Sequence, residues 1–382
     1  MLRWIFLVLA LALAALGSLT VVQSPDWAPW KLAVLAGEYG HWVAFAPLLL
    51  AALAWLSRGE KFAVAGVTVL GCAVAFGLLL KPVLEASLIA GELPGKLEKQ
   101  LGHAELARRP FAVTALWAGG VEPVPVETLP YSGNLSLDLY RPPRADAKPP
   151  LPCVILVHGG GWDGGSRAEI AHFNHWLAGR GYAVAAIDYR LAPNFPWPAQ
   201  RDDTLAAIAF LKNHARELGI DPTRLVLLGR SAGGQIAEAV GYTANDPAIR
   251  GVIALYAPSD MVFAYVNARE DDILKSPTLM RQYLGGTPET ARENYASASA
   301  LPRVHASTPP TLLLHGAIDS LVWYRHSVRL DAKLAEQHVP HVFVSLPWAT
   351  HAFEYNLAGP GGQLTTFAVE WFLAVVTRPA GR

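Results

Sequence analysis

The sequence predicts an α/β protein, an eight-stranded and mostly parallel sheet flanked by helices, preceded by about three transmembrane helices. Three observations carry this. Charge is nearly absent from the first fifth of the chain, β-rich runs alternate with helix-length segments after residue 120, and glycine-rich turns follow two of those runs. The 382 residues are 52% hydrophobic and 16% charged, well below the ~25% charge of soluble proteins. Lys+Arg and Asp+Glu both number 31, so the basic footprint of a nucleic-acid binder is missing and no such partner is expected. Two cysteines, Cys72 and Cys153, both inside apolar runs, supply neither a disulfide framework nor a metal site.

Residues 1–80 carry only seven charges: Arg3, Asp26, Lys31, Glu38, Arg58, Glu60 and Lys61. Uncharged runs near 4–23, 39–57 and 62–80 each approach the ~20 residues that cross a hydrocarbon core. The first also fits a cleaved signal peptide, with Arg3 before its apolar stretch. Arg3 precedes the first run, and Arg58 and Lys61 fill the turn between the second and third. The positive-inside rule puts both on the cytoplasmic face, with Asp26 and Glu38 in the first external loop and everything after Lys81 outside. Residues 81–120 then read as a juxtamembrane connector interrupted at Pro94-Gly95.

From residue 121 to 382 the pattern is that of one mainly parallel sheet with helices on both faces. Strands are expected at 124–129, 135–140, 153–157, 183–187, 225–228, 252–256, 311–314 and 341–346, and helices at 166–180, 199–217, 232–244, 323–338 and 364–377. The interval from about 259 to 310 exceeds a crossover helix and reads as an insertion over the carboxyl end of the sheet, where Phe263, Tyr265, Met280 and Tyr283 are candidates to line a pocket.

The chemistry gathers at turns after strands. Gly229-Arg230-Ser231-Ala232-Gly233 follows a buried run and precedes a helix pattern, which places the serine hydroxyl on a sharp strand-to-helix turn. His158-Gly159-Gly160-Gly161-Trp162 supplies main-chain N–H groups able to approach an oxyanion. A base and an orienting acid must follow: His351 comes after the last strand and Asp319 after the one before it, with Asp260 as a rival acid, and Asp188 and Asp203 read as structural.

With Asp188-Tyr-Arg-Leu-Ala-Pro193, Pro196-Trp-Pro-Ala199 and His351-Ala-Phe353 added to these motifs, the chain from about 120 to 377 resembles the α/β-hydrolase superfamily, in particular hormone-sensitive-lipase-like carboxylesterases. The resemblance implies Ser231 as nucleophile, His351 as base and Asp319 as acid. It implies an oxyanion hole from the N–H groups of Gly160, Gly161 and Ala232, and no metal or organic cofactor. Trp162 is a candidate substrate contact. Arg230 stands where many relatives carry an acid; it is either a second substrate contact or the partner of a structural carboxylate such as Asp202. The expected function is cleavage of small-molecule or lipid esters by a membrane-anchored esterase or lipase. Amide or peptide cleavage by the same triad, and a catalytically inactive anchored binding protein, are the alternatives.

Overall fold

The computed structural model describes residues 2–58, 62–142 and 150–379. Its amino-terminal part is helical: α1 (Leu2–Ser18), α2 (Trp27–Val43), α3 (Ala46–Leu56) and α4 (Phe62–Leu101). Among the described residues α4 alone is long and apolar enough to cross a bilayer; α2 and α3 reach that length only together and are bent by 62° at their junction, and α1 has 17 residues. Lys61, one half of the expected basic turn, lies outside the described residues. Arg3 donates from Nε to the Ser57 carbonyl at 2.9 Å, so the start of α1 and the end of α3 lie together.

The interruption expected at Pro94-Gly95 is not present: α4 runs unbroken through Pro82 and Pro94 for 40 residues, so the first part of the 81–120 segment is helical. A proline frees the carbonyl four residues earlier, and the Leu78 carbonyl freed by Pro82 accepts the Thr20 hydroxyl at 3.2 Å. Helix α4 therefore packs twice: Cys72 meets Ala10 and Leu50 of α1 and α3, whereas Ala86, Leu93 and Leu97 join the core formed with the sheet and the last helix. Nor is Glu38 in an external loop. It lies inside α2, fully buried, and its carboxylate accepts the Gly361 N–H at 2.9 Å while its carbonyl accepts the Asn356 amide. Asp26 caps α2 instead, accepting the Trp27 N–H.

The remainder is an eight-stranded sheet of β1 (Val126–Ser132), β2 (Leu135–Tyr140), β3 (Leu151–Val157), β4 (Ala183–Ile187), β5 (Ile220–Arg230), β6 (Ile249–Leu255), β7 (Thr311–Gly316) and β8 (His341–Leu346), in the order β1-β2-β4-β3-β5-β6-β7-β8. The two pairings of β2 are antiparallel and the rest parallel. Helices α5 (Ala171–Gly179), α6 (Ala199–Asn213), α7 (Ala215–Leu218), α8 (Ala232–Thr243), α12 (Arg325–Glu336) and α13 (Pro360–Val376) make the crossovers and cover the faces. The insertion folds as α9 (Met261–Asn267), α10 (Ser276–Leu284) and α11 (Arg292–Ala298).

Covering both faces explains the unbroken apolar strands. Along β3, Cys153, Ile155 and Val157 join the core on one side while Val154 and Leu156 join the core on the other. All eight expected strands are present, with β5 longer at both ends. The first crossover helix starts at Ala171 rather than 166, and the last begins at Pro360, a residue suited to a first helical turn. The parallel register sets Val157 beside Gly229, Arg230 beside Leu255 and Gly316 beside Leu346, which aligns the turns after β3, β5, β7 and β8 on one edge.

Candidate active site

The turn between β5 and α8 depends on close backbone approach. A Cβ on Gly233 would lie 2.2 Å from the carbonyl oxygens of both Val157 and His158, and one on Gly229 would lie 2.1 Å from the Gly233 carbonyl. Only hydrogens fit there, so α8 starts directly against the end of β3. Between them Ser231 takes φ 52° and ψ −119°, a conformation that costs a non-glycine residue roughly 1–3 kcal/mol, and its side chain does not cap the helix. Its N–H donates to Leu255 at 2.9 Å, which holds the turn to β6.

Asp319 follows β7 and is fully buried. One carboxylate oxygen accepts the N–H groups of Leu321 and Val322 at 2.8 and 3.0 Å; the other faces His351 Nδ1 at 2.7 Å and His315 Nε2 at 3.2 Å. Burial alone would raise its pKa, but the charge and hydrogen bonds of His351 and His315 outweigh burial and hold the carboxyl well below the usual range. An ionised Asp319 requires Nδ1 of His351 to carry the proton, which leaves Nε2 as the acceptor. His315, at the end of β7, has its Nδ1 anchored on α12 by Ser327 at 2.7 Å, and its contact with Asp319 is visible only in the fold.

The rival acids are committed elsewhere. Asp260 caps α9 and pairs with Arg329, Asp188 pairs with Arg167, and Asp203 with Arg190. Ser231 and His351 line one cavity of 520 Å³ together with Gly160 and Gly161. The Gly159 N–H is taken by the Glu169 carboxylate at 2.7 Å, whereas those of Gly160, Gly161 and Ala232 have no protein acceptor among the described residues. His158, the first residue of the glycine turn, is itself structural: it stacks on Tyr189 at 4.1 Å, and burial lowers its pKa.

The two candidate substrate contacts border the cavities at Ser231, Trp162 the smaller and Arg230 the larger, and both also make structural bonds. Arg230 has the parity of Val226 and Leu228 along β5, so it points to the face opposite α8. There it is 1% exposed, donates to Glu354 at 2.8 Å and lies over the Phe173 ring; Glu354 also accepts the Tyr256 hydroxyl. Its partner is Glu354, not Asp202, which pairs with Arg201. Trp162 is 5% exposed, stacks on Tyr283 at 4.3 Å and donates its indole N–H to Gln235. Gln235 accepts the Tyr283 hydroxyl as well and donates to the Ala298 carbonyl, tying α8 to the insertion. A second cavity of 210 Å³ also reaches Ser231; Phe263 and Met280 line it as expected, and Tyr265 and Tyr283 do not.

Residues 137–334 match the BD-FAE family. The ethyl acetate hydrolase of Pseudomonas putida is 30% identical over 287 residues, covering 69% of this chain and 87% of that protein. The probable carboxylic ester hydrolase LipM of Mycobacterium tuberculosis is 30% identical over 262 residues; the match takes in 64% of this chain and 59% of LipM, so the chain spans somewhat over half of that relative's length. Among solved structures, a bacterial heroin esterase superimposes with a TM-score of 0.57 at 21% identity, covering 76% of this chain and 92% of that one. At that identity the likeness establishes the α/β-hydrolase fold.

Two predictions follow from the buried groups around the cavities. Arg230→Met leaves Glu354 without its cation and should lower stability by about 3–5 kcal/mol, whereas adding Glu354→Leu should recover most of the loss, as read by thermal unfolding. His326 lines the smaller cavity, and burial, with help from the charges of His315 and Arg329, lowers its pKa to about 3. The unfolded chain takes up a proton below its ordinary ~6.5 that the folded chain refuses, so stability should fall by about 2 kcal/mol between pH 7 and pH 5. Denaturant unfolding at both values should show a flatter dependence in His326→Phe.

Proposed function

The chain belongs to the BD-FAE family, and on that premise we propose that it is a membrane-anchored serine hydrolase that cleaves carboxylic esters through an acyl-enzyme. The observation that carries the reading is the 2.7 Å His351–Asp319 bond beside a strained Ser231 that shares its cavity with the glycine turn. In this mechanism His351 Nε2 accepts the Ser231 hydroxyl proton as Oγ attacks the ester carbonyl carbon. The negative charge moves to the carbonyl oxygen, where the N–H groups of Gly160, Gly161 and Ala232 meet it, each contributing on the order of 3 kcal/mol. Asp319 keeps the imidazole in the required tautomer and stabilises its cationic form. His351 then protonates the departing alcohol, the C–O bond breaks, and a water activated by the same nitrogen releases the acid and restores Ser231. The N-terminus of α8 directs its positive dipole end at the same place.

Several features support the anchoring. Leu9, Leu49, Leu53, Leu70 and Val74 are exposed on α1, α3 and the first half of α4, an apolar surface that water would not favour. Arg3 and Arg58 share one end of this unit, and the α1–α2 connection at the other end touches the Asp319 loop. Under the positive-inside rule the catalytic part then faces the extracytoplasmic side. In this reading the embedded part ends near residue 80, within α4, the segment to about 120 is the connecting part, and the catalytic unit occupies 121–382. Its substrates are small-molecule or lipid esters.

Ser231→Ala should abolish both hydrolysis of p-nitrophenyl acetate and labelling by a fluorophosphonate, and Asp319→Asn should lower kcat on the order of 10⁴-fold. Unlabelled wild-type protein, or full turnover by Ser231→Ala, overturns the reading. For the anchoring, the full chain should stay with the membrane pellet after an alkaline carbonate wash; release into the supernatant contradicts it.

A further inference from the structure

Two cavities meet at Ser231. The 210 Å³ cavity runs under the insertion and is walled by Phe263, Met280, Val322, Trp323 and His326. The 520 Å³ cavity contains His351 and is bordered by Trp27 and Trp30, which belong to α2 of the amino-terminal helices. Gly161, Ser231, Leu274, Leu279 and Leu321 border both, so an ester bound across Ser231 extends one group into each.

Proton bookkeeping assigns the two arms. The imidazole that takes the serine proton must return it to the departing oxygen, so that oxygen and the alcohol behind it occupy the cavity that His351 lines. The acyl group turns the other way, into the smaller cavity, which His351 does not border. The alcohol arm is thus the larger one, and part of its wall comes from outside the α/β unit. That wall is fixed in place. Trp27 and Trp30 pack edge to face at 5.3 Å, Asp26 caps their helix, the Gln23 amide donates to the Asp319 carbonyl at 3.0 Å, and the Ser24 N–H donates to the Ser320 hydroxyl at 2.7 Å. The tryptophans are therefore tethered to the same loop that carries the acid of the triad.

We propose that Trp27 and Trp30 select the alcohol of the substrate, and that the substrate joins a short acyl group to a bulky alcohol with an apolar surface. The assignment rests on the serine-ester reading of Ser231, His351 and Asp319. It makes the amino-terminal helices part of the binding site as well as an anchor.

Hexyl acetate and ethyl hexanoate are isomers with the same atoms and differ only in which side of the ester is long. The full chain in detergent should hydrolyse hexyl acetate with a kcat/KM at least about tenfold higher than ethyl hexanoate. In a Trp27→Ala/Trp30→Ala variant that ratio should collapse about tenfold through loss of hexyl acetate turnover, and Phe263→Ala should shift it the same way by the opposite route, through gain of ethyl hexanoate turnover. Fluorophosphonate labelling of each variant reports an intact site; if the alanine pair does not label, Trp27→Phe/Trp30→Phe should still lower the ratio. A wild-type preference for ethyl hexanoate, or a tryptophan variant that slows both isomers equally, overturns the proposal. Failure of the wild type to hydrolyse either ester or take the label defeats the serine-ester reading itself, a result distinct from hydrolysis with the wrong isomer preference.

Discussion

The approach of the Gly233 backbone to the carbonyls that end β3 is the constraint on which the rest of the site depends. Without it α8 could not begin where it does, and Ser231 could not be held in a backbone conformation it would otherwise avoid. The local cost is small beside what opposes it. Strands β3, β5 and β6 are buried on both faces, and the Ser231 N–H is locked to β6, so relaxing the turn would require sliding packed strands past one another. The aligned carboxyl ends then bring the turns after β3, β5, β7 and β8 within one cavity's breadth.

At the wall of that cavity lies a second arrangement with its own logic. Arg230 and Tyr256 are buried and both donate to the Glu354 carboxylate, and the Tyr256 ring also packs on His351 at 4.1 Å. The cation adjacent to Ser231 is thereby neutralised by a carboxylate close after His351. Tyr256 and Glu354 tie the end of β6 to the segment after His351, so the same bonds that balance the charge also position the imidazole.

Much of this was legible in the sequence, for a physical reason. Strand periodicity, the glycine turn and Gly229-x-Ser231-x-Gly233 are local signals, and the order of Asp319 and His351 follows from strand order. What escaped involved partners far apart in the chain. The Pro94-Gly95 pair looked like an interruption, yet α4 continues because packing against β8 and α13 outweighs local propensity. Glu38 looked like a loop acid because nothing near it reveals that Gly361 will offer it an N–H. Arg230 was read with Asp202 as an example partner, while the true carboxylate is 124 residues later. Side-chain parity along β5 could have shown which face Arg230 occupies, had the strand been extended to its full length.

The unbroken α4 has a geometric consequence. Forty residues of helix measure about 60 Å, roughly twice a hydrocarbon core; the first half carries the outward apolar surface, and the second is fastened to the sheet by Leu93 and Leu97 and by Lys96 donating to the Phe343 carbonyl. A stiff rod gripped at both ends acts as a strut. On the proposed topology it fixes the elevation of the cavity mouth over the headgroups, so that esters held in the bilayer surface are met at one set height.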